Sequence, residues 1–255
     1  MTSSSVLSPV FSHLECVRRG HRYDPLPWRG LCECGSPLAV RYDPDGLRGR
    51  FDREKLECRR GGMWRWSEML PLAAGVPVAD LGEGGTPLIP AHALGEELGL
   101  ANLWIKDESG NPTGSFKARG LSMAVNVAAA LGSMEFAVPS AGNAAAAVSA
   151  FAAARGARAH VFMPADTPRA VVTECRVLGA DVVLIDGLIT DAAHALREQN
   201  DGRWCDVSTL REPFRVEGKK TLGLEIAETL CWQLPDVIIY PTGGGTGLLG
   251  MWKAF

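Results

Sequence analysis

Asn111-Pro112-Thr113-Gly114-Ser115-Phe116-Lys117-Ala118-Arg119-Gly120 sets a single lysine at the edge of a Gly/Pro/Ser turn, just ahead of a run that reads as helix. A lysine on a solvated helix face is flanked by other polar residues. Lys117 instead follows an aromatic and a turn of residues with restricted or unusual backbone preferences. Such a site can hold an amine rigidly and partly out of water, which favours loss of its proton and Schiff-base formation with a carbonyl. The competing reading is a loop lysine whose stem alone is buried.

Outward from this turn, strands and helices alternate. Residues 103–106 read as a short strand before it, and a helix follows through Leu131. Next come a strand at 136–138, an Ala-rich helix from Asn143 to near Gly156, and a strand at 160–163. Thr167 is expected to cap the next helix, with Pro168 in its first turn. Strands at 182–185, 204–207 and 236–240 interleave with helices at 191–199 and 217–230, and a last helix follows residue 247. Repeated β-α units predict an α/β fold, a mostly parallel sheet with helices on both faces.

The 255 residues suffice for one large or two ordinary domains. A net charge of −3 gives no reason to expect nucleic acid or an anionic membrane as partner. No apolar run approaches the roughly 20 residues that span a bilayer. The Ser-rich start, residues 1–10, lacks the pattern of a secretory signal. Seven cysteines, an odd number, suit a reducing cytoplasm.

Gly243, Gly244, Gly245, Thr246 and Gly247 lie between the last predicted strand and helix. Glycines let backbone N–H groups converge on an anion, and the helix adds its positive end, so this stretch reads as a phosphate cradle. A merely flexible turn is the alternative. Residues 245–250 formally satisfy G-x-G-x-x-G, but no acidic residue follows at the dinucleotide spacing. Residues 110–117 are not a P-loop, since no Ser or Thr follows the lysine. Ser140-Ala141-Gly142-Asn143 is a second strand-to-helix turn, suited either to a substrate carboxylate and a ring hydroxyl or to plain helix capping.

Together these three segments resemble the fold-type II pyridoxal-phosphate enzymes, the tryptophan-synthase-β group, from about residue 82 to 255. The resemblance implies that Lys117 carries pyridoxal 5'-phosphate as a Schiff base. It also implies that Asn143 meets the 3′-hydroxyl and that Gly243 to Gly247 hold the 5′-phosphate. Within the group the wording is similar to that of the threonine synthases. The stretches that carry it are Gly82-Glu83-Gly84-Gly85-Thr86-Pro87-Leu88, residues 106–117 and Arg215-Val216-Glu217-Gly218-Lys219-Lys220-Thr221-Leu222. Residues 32–43 look like the extension many of them carry. The implied organisation is an extension over 1–62 (a zinc-ribbon-like remnant) and a large domain over 63–110 and 213–255. A small cofactor domain with the lysine covers 111–212.

The implied reaction converts O-phospho-L-homoserine and water to L-threonine and phosphate. A doubly charged substrate phosphate needs cationic donors; Lys106, Arg215, Lys219 and Lys220 are the candidates, Arg215 and Lys106 the favoured ones, with Ser140 for the substrate carboxylate. Lys219 and Lys220 are expected to begin a helix, where neighbours cannot both face one site. A threonine or serine dehydratase and a truncated, non-catalytic fragment are the other readings, and a homodimer stays open. Three departures from the family pattern stand out: Ala118 replaces an acidic residue, the extension lacks the fourth thiolate of a zinc ribbon, and the chain stops inside the helix after the phosphate loop. No metal is therefore expected, though His21 could in principle stand in for the missing thiolate, and the chain is expected to be a carboxyl-terminally truncated one.

Overall fold

The computed structural model describes residues 6–255; the first five residues of the Ser-rich start lie outside the described residues. The amino-terminal part is a three-stranded antiparallel sheet of β1 (Phe11–Cys16), β2 (Arg22–Tyr23) and β3 (Leu38–Tyr42), in the order β2-β1-β3. Two short helices follow, α1 (Pro44–Arg48) and α2 (Arg53–Glu57), each started by an aspartate whose side chain accepts a backbone N–H. A hairpin of β4 (Leu88–Pro90) and β5 (Trp104–Lys106) encloses α3 (His92–Leu98).

The centre is a four-stranded parallel sheet, ordered β8-β7-β6-β9. Its strands are β6 (Glu135–Pro139), β7 (Arg158–Pro164), β8 (Asp181–Ile185) and β9 (Cys205–Asp206). The connecting helices are α4 (Lys117–Ala130), α5 (Asn143–Ala154), α6 (Arg169–Val177) and α7 (Ile189–Gln199). Alternation along the strands explains why both faces are covered. Phe136, Val138, Val161 and Met163 pack with α4, α5 and α6, whereas Ala137 and Phe162 meet Ala192 and Leu196 of α7. The sequence-predicted α/β class with a helix-flanked parallel sheet is what the structure has.

Helix α4 is buried from Ala118 to Ala128, so it forms an axis around which the rest assembles. Leu121 and Val125 belong to the sheet core, while Met123 and Val127 share a second core with Leu14, Leu38 and Val40 of the amino-terminal sheet. Two further helices, α8 (Phe214–Thr229) and α9 (Thr246–Ala254), pack on each other, and α8 also packs on α4. Among the described residues no helix is long and apolar enough to cross a membrane.

Three expectations need correction. Residues 236–240 are not a strand: among the described residues no strand lies beside them to take up their backbone groups. Val237 and Ile239 are accordingly 77% and 94% exposed. Thr167 does not cap α6, because its hydroxyl is buried without a partner and the helix starts after Pro168. Helix α8 begins at Phe214, ahead of residue 217, so Lys219 and Lys220 lie inside it rather than at its start.

Candidate functional site

The turn before Lys117 is pinned by side chains. Asn111 Oδ1 accepts the Gly84 N–H at 2.9 Å, and Asn111 Nδ2 donates to Glu108 O at 3.0 Å and to Glu108 Oε2 at 2.9 Å. Thr113 and Gly114 take the left-handed conformation (φ 58° and 66°), which turns the chain sharply into α4. Lys117 is then the first helical residue, half-buried, with its amine 3.7 Å from the Phe116 ring centroid. Burial, and after it the charge of Arg215, lowers the proton affinity of that amine.

Two more cations crowd the same place. Lys219 on α8 is buried, its amine 4.0 Å from the same ring and donating to the Phe116 carbonyl. Burial, then Arg215 and Lys117, depress its proton affinity well below that of a free lysine. Arg215, one turn earlier on α8, is buried as well. It donates to Val207 O at 2.8 Å and Thr209 Oγ1 at 3.4 Å, and its Nε has no partner. Among the described residues, the ion pairs of α4 and α8 run through Arg119, Glu217, Lys220, Glu225 and Glu228, and Lys117, Arg215 and Lys219 have no share in them.

The glycine loop meets this cluster through close backbone contacts. A Cβ on Gly244 would lie 2.1 Å from Thr209 Cγ2, and one on Gly247 would lie 2.0 Å from Tyr240 Oη. Those two glycines are therefore required by approach rather than by flexibility. Gly243 has open space around it, and Gly245 is left-handed (φ 77°) just before Thr246 opens α9. The Tyr240 ring packs edge-on against Phe116 at 5.3 Å, joining the loop to the lysine turn, and its hydroxyl is buried without a partner.

The second predicted turn sits beside the first, since α5 packs against the Pro112–Gly114 turn. Ser140 Oγ accepts the Gly142 and Ala145 N–H groups, each at 3.3 Å, so the serine closes the start of α5. Asn143 is the first residue of that helix and is exposed.

Lys106 is elsewhere engaged. Its amine donates to Glu225 Oε2 at 2.8 Å and Thr86 O at 2.5 Å, inside a buried network with Arg119 and Glu108. Arg119 donates to both oxygens of Glu225 at 2.7 Å, and to Glu108 Oε2 at 2.7 Å and Oε1 at 2.8 Å. Burial alone would raise the Glu225 carboxyl; Arg119 and Lys106 outweigh it and hold it at about 2. Lys220, next to Lys219, points to another group: it pairs with Glu217 at 2.8 Å, which also receives Tyr42 Oη at 2.6 Å and the amine of Lys253. Adjacent helix positions thus diverge, as the sequence pattern predicts.

The structure therefore brings together Lys117, Arg215 and the glycine loop, with the Ser140–Asn143 turn beside them. Lys106 lies in a charge-paired network adjoining the cluster. Sequence reasoning set Lys219 aside together with Lys220, because a Lys-Lys pair looks the same whichever one is buried at the cluster. It also missed Arg119, Glu108 and Glu225. A surface cleft of about 540 Å³ between residues 60–62 and 80–85 is lined by none of the predicted site residues.

This arrangement can be set beside known proteins. The pyridoxal-phosphate dependent enzyme family matches residues 79–255. The chain belongs to that family. It is similar to the threonine synthase of Methanocaldococcus jannaschii, 34% identical over 241 residues that cover 94% of this chain and 60% of the relative. The likeness to threonine synthase of Methanosarcina acetivorans is also 34%, over 95% of this chain and 60% of the relative. The chain thus spans about 60% of the length of these relatives. Among solved structures, maize serine racemase superposes with a TM-score of 0.60 at 27% identity, covering 66% of this chain and 51% of that one. Processed threonine deaminase isoform 2 of Solanum lycopersicum gives 0.58 at 26% identity, over 84% and 56%. Family membership carries dependence on pyridoxal phosphate, and the fold is that of the fold-type II enzymes.

Proposed function

We propose that this chain provides the cofactor site of a threonine synthase, acting on O-phospho-L-homoserine and water to give L-threonine and phosphate. The observation that carries the reading is the cluster of half-buried Lys117 with buried Arg215 and Lys219, none of which has a carboxylate within ion-pairing distance among the described residues, reached by a glycine loop at a helix start. Unpaired buried positive charge is costly unless an anion arrives to complete it. The unpartnered Arg215 Nε is a donor in waiting of that kind.

The residues fit the family's cofactor. Lys117 would hold it covalently, through an amine whose proton affinity is already lowered. The backbone N–H groups of 243–247 and the start of α9 would hold its phosphate, and Asn143 its ring hydroxyl. When bound, the cofactor supplies an electron sink for charge developing at the substrate Cα. Lys117 Nζ would take the proton from Cα and return one at a neighbouring carbon, which one amine can do in sequence. Arg215 would orient the substrate phosphate, and the Ser140 turn its carboxylate. Lys106 is the weaker candidate for that phosphate, because Glu225 already neutralises it.

A dehydratase acting on serine or threonine is the second reading, favoured by the likeness to serine racemase and threonine deaminase structures. Incubation with each substrate separates the two. Phosphate release from phosphohomoserine supports the first, ammonia release from threonine the second, and neither activity in protein that traps the cofactor under borohydride would remove both.

A further inference from the structure

The amino-terminal sheet brings three cysteines to one point. The Sγ atoms of Cys16, Cys32 and Cys34 all lie within 4.8 Å of one another, with Cys34 3.3 Å from Cys32 and 3.6 Å from Cys16. A disulfide would need about 2.05 Å and would leave one thiol over. Three thiolates around a tetrahedral zinc at about 2.3 Å would stand roughly 3.8 Å apart, close to the spacing found.

The surrounding backbone is built alike on both sides. Cys16 begins a turn closed by Gly20 (φ 68°), whose N–H donates to Cys16 O at 2.9 Å. Cys32 begins one closed by Gly35 (φ 77°), whose N–H donates to Cys32 O at 2.8 Å. Each turn aims an amide at its sulfur: Arg19 N–H to Cys16 Sγ at 3.3 Å and Cys34 N–H to Cys32 Sγ at 3.5 Å. Amides directed at sulfur stabilise the anionic form, the form that binds metal. Tyr23 Oη stands 3.1 Å from Cys32 Sγ, placed to donate to a thiolate there.

Charge and access agree with this. Three thiolates and a divalent cation leave one negative charge, and the β1–β2 hairpin carries exposed Arg18 and Arg19 in its turn and Arg22 at the start of β2. Cys16 and Cys32 are buried, while Cys34 is only partly so, which leaves one side of the cluster open.

We propose that Cys16, Cys32 and Cys34 form a three-thiolate site for a thiophilic divalent ion of the zinc class, with water in the open fourth position. The absence of a fourth thiolate, which led the sequence reading to expect no metal, is no obstacle: three protein ligands and one exchangeable position are a stable zinc set. Binding would release the thiol protons and clamp the β1–β2 turn to the segment that leads into β3.

The test uses the whole chain, reduced, stripped with chelator and titrated with Zn²⁺ or Co²⁺. One equivalent should bind with a Kd below about 1 µM, and cobalt should give thiolate charge-transfer and tetrahedral ligand-field bands. Cys16→Ser, Cys32→Ser and Cys34→Ser should each abolish that uptake, and the doubly substituted Cys58→Ser/Cys231→Ser should retain it. Tyr23→Phe should weaken binding about 10-fold. Alkylation mapped by mass spectrometry needs no variant: zinc should protect Cys16, Cys32 and Cys34 in the wild type while exposed Cys58 and Cys231 react. Absence of submicromolar uptake, uptake that survives Cys34→Ser, or equal alkylation with and without zinc would overturn the proposal. None of these readouts depends on the cofactor site.

Discussion

Helices α4 and α8 carry two cationic clusters side by side, and they are built on opposite principles. Around Arg119 and Lys106 every positive charge has a carboxylate: Glu108 and Glu225 satisfy them in a buried, fully hydrogen-bonded set. Around Lys117, Arg215 and Lys219 no carboxylate lies within ion-pairing distance among the described residues; Glu212 and Asp206 act on Arg215 only from farther off, and burial drives the proton affinity of each cation downward. The first cluster is complete as folded and ties α4, α8 and the residues after β5 into one unit. The second, on the function proposed above, would be completed by an anion from outside. Physical chemistry thus separates a charge network that is paired as folded from one that is not, although both involve residues of the same two helices.

The largest test of that contrast is chemical. Lys117→Ala should leave the fold intact, abolish borohydride trapping of pyridoxal phosphate on the chain, and lower turnover by more than about 10³-fold. Trapping that persists at another lysine would show that the amine has been misassigned.

Arg119→Met comes next. It leaves Glu108 without a cation and buried Glu225 with Lys106 alone, and should cost about 3–5 kcal/mol of stability in urea unfolding. If the loss is below about 1 kcal/mol, the network is not the fastener described above.

Arg215→Leu should act mainly on anion response, with a smaller stability loss from the Val207 O hydrogen bond that it removes. Inorganic phosphate at about 100 times its Kd should stabilise the wild type by about 2.7 kcal/mol and the variant by little. Equal thermal shifts in the two proteins would erase the distinction between the clusters.

The smallest effect lies in pH. Burial, partly offset by Arg215, raises the Glu212 carboxyl from its usual 4.5 to about 7. A carboxyl that binds its proton more tightly when folded contributes stability below its unfolded pKa, lost as pH rises through about 7. Glu225 works oppositely: held at about 2, its contribution is present above about pH 4.5 and lost as pH falls toward 2. Thermal unfolding of Glu212→Gln should be flatter than the wild type between pH 4.5 and 7. A wild type already flat in that window would contradict the assignment.

Much of the parallel sheet was legible beforehand. Val161, Phe162 and Met163, or Val182, Val183 and Leu184, are continuous apolar runs of strand length, and the Gly/Pro/Ser turns between them mark the helix starts. Residues 236–240 misled because a strand-like pattern says that a segment can pair, not that a partner lies beside it. Thr167 misled because capping depends on where the hydroxyl can reach, and Pro168 sets the helix start one residue later. At the site, Lys117, Asn143 and the glycine loop stand out as local motifs, each a turn whose chemistry is contained in a few consecutive residues. Arg119, Glu225 and Lys219 do not, since a charge inside a helix looks solvated until its neighbours are known.

The order of residues determined the turn that presents Lys117, the glycines that permit close backbone approach, and the alternation that buries both faces of the sheet, because these follow from local dihedral preference and side-chain period. Tertiary structure alone decided which cations were neutralised and which left unpaired, and that three cysteines separated by up to 18 positions share one point. Electrostatic energy and metal ligation depend on distance and burial across elements, and those are properties of packing, not of neighbourhood along the chain.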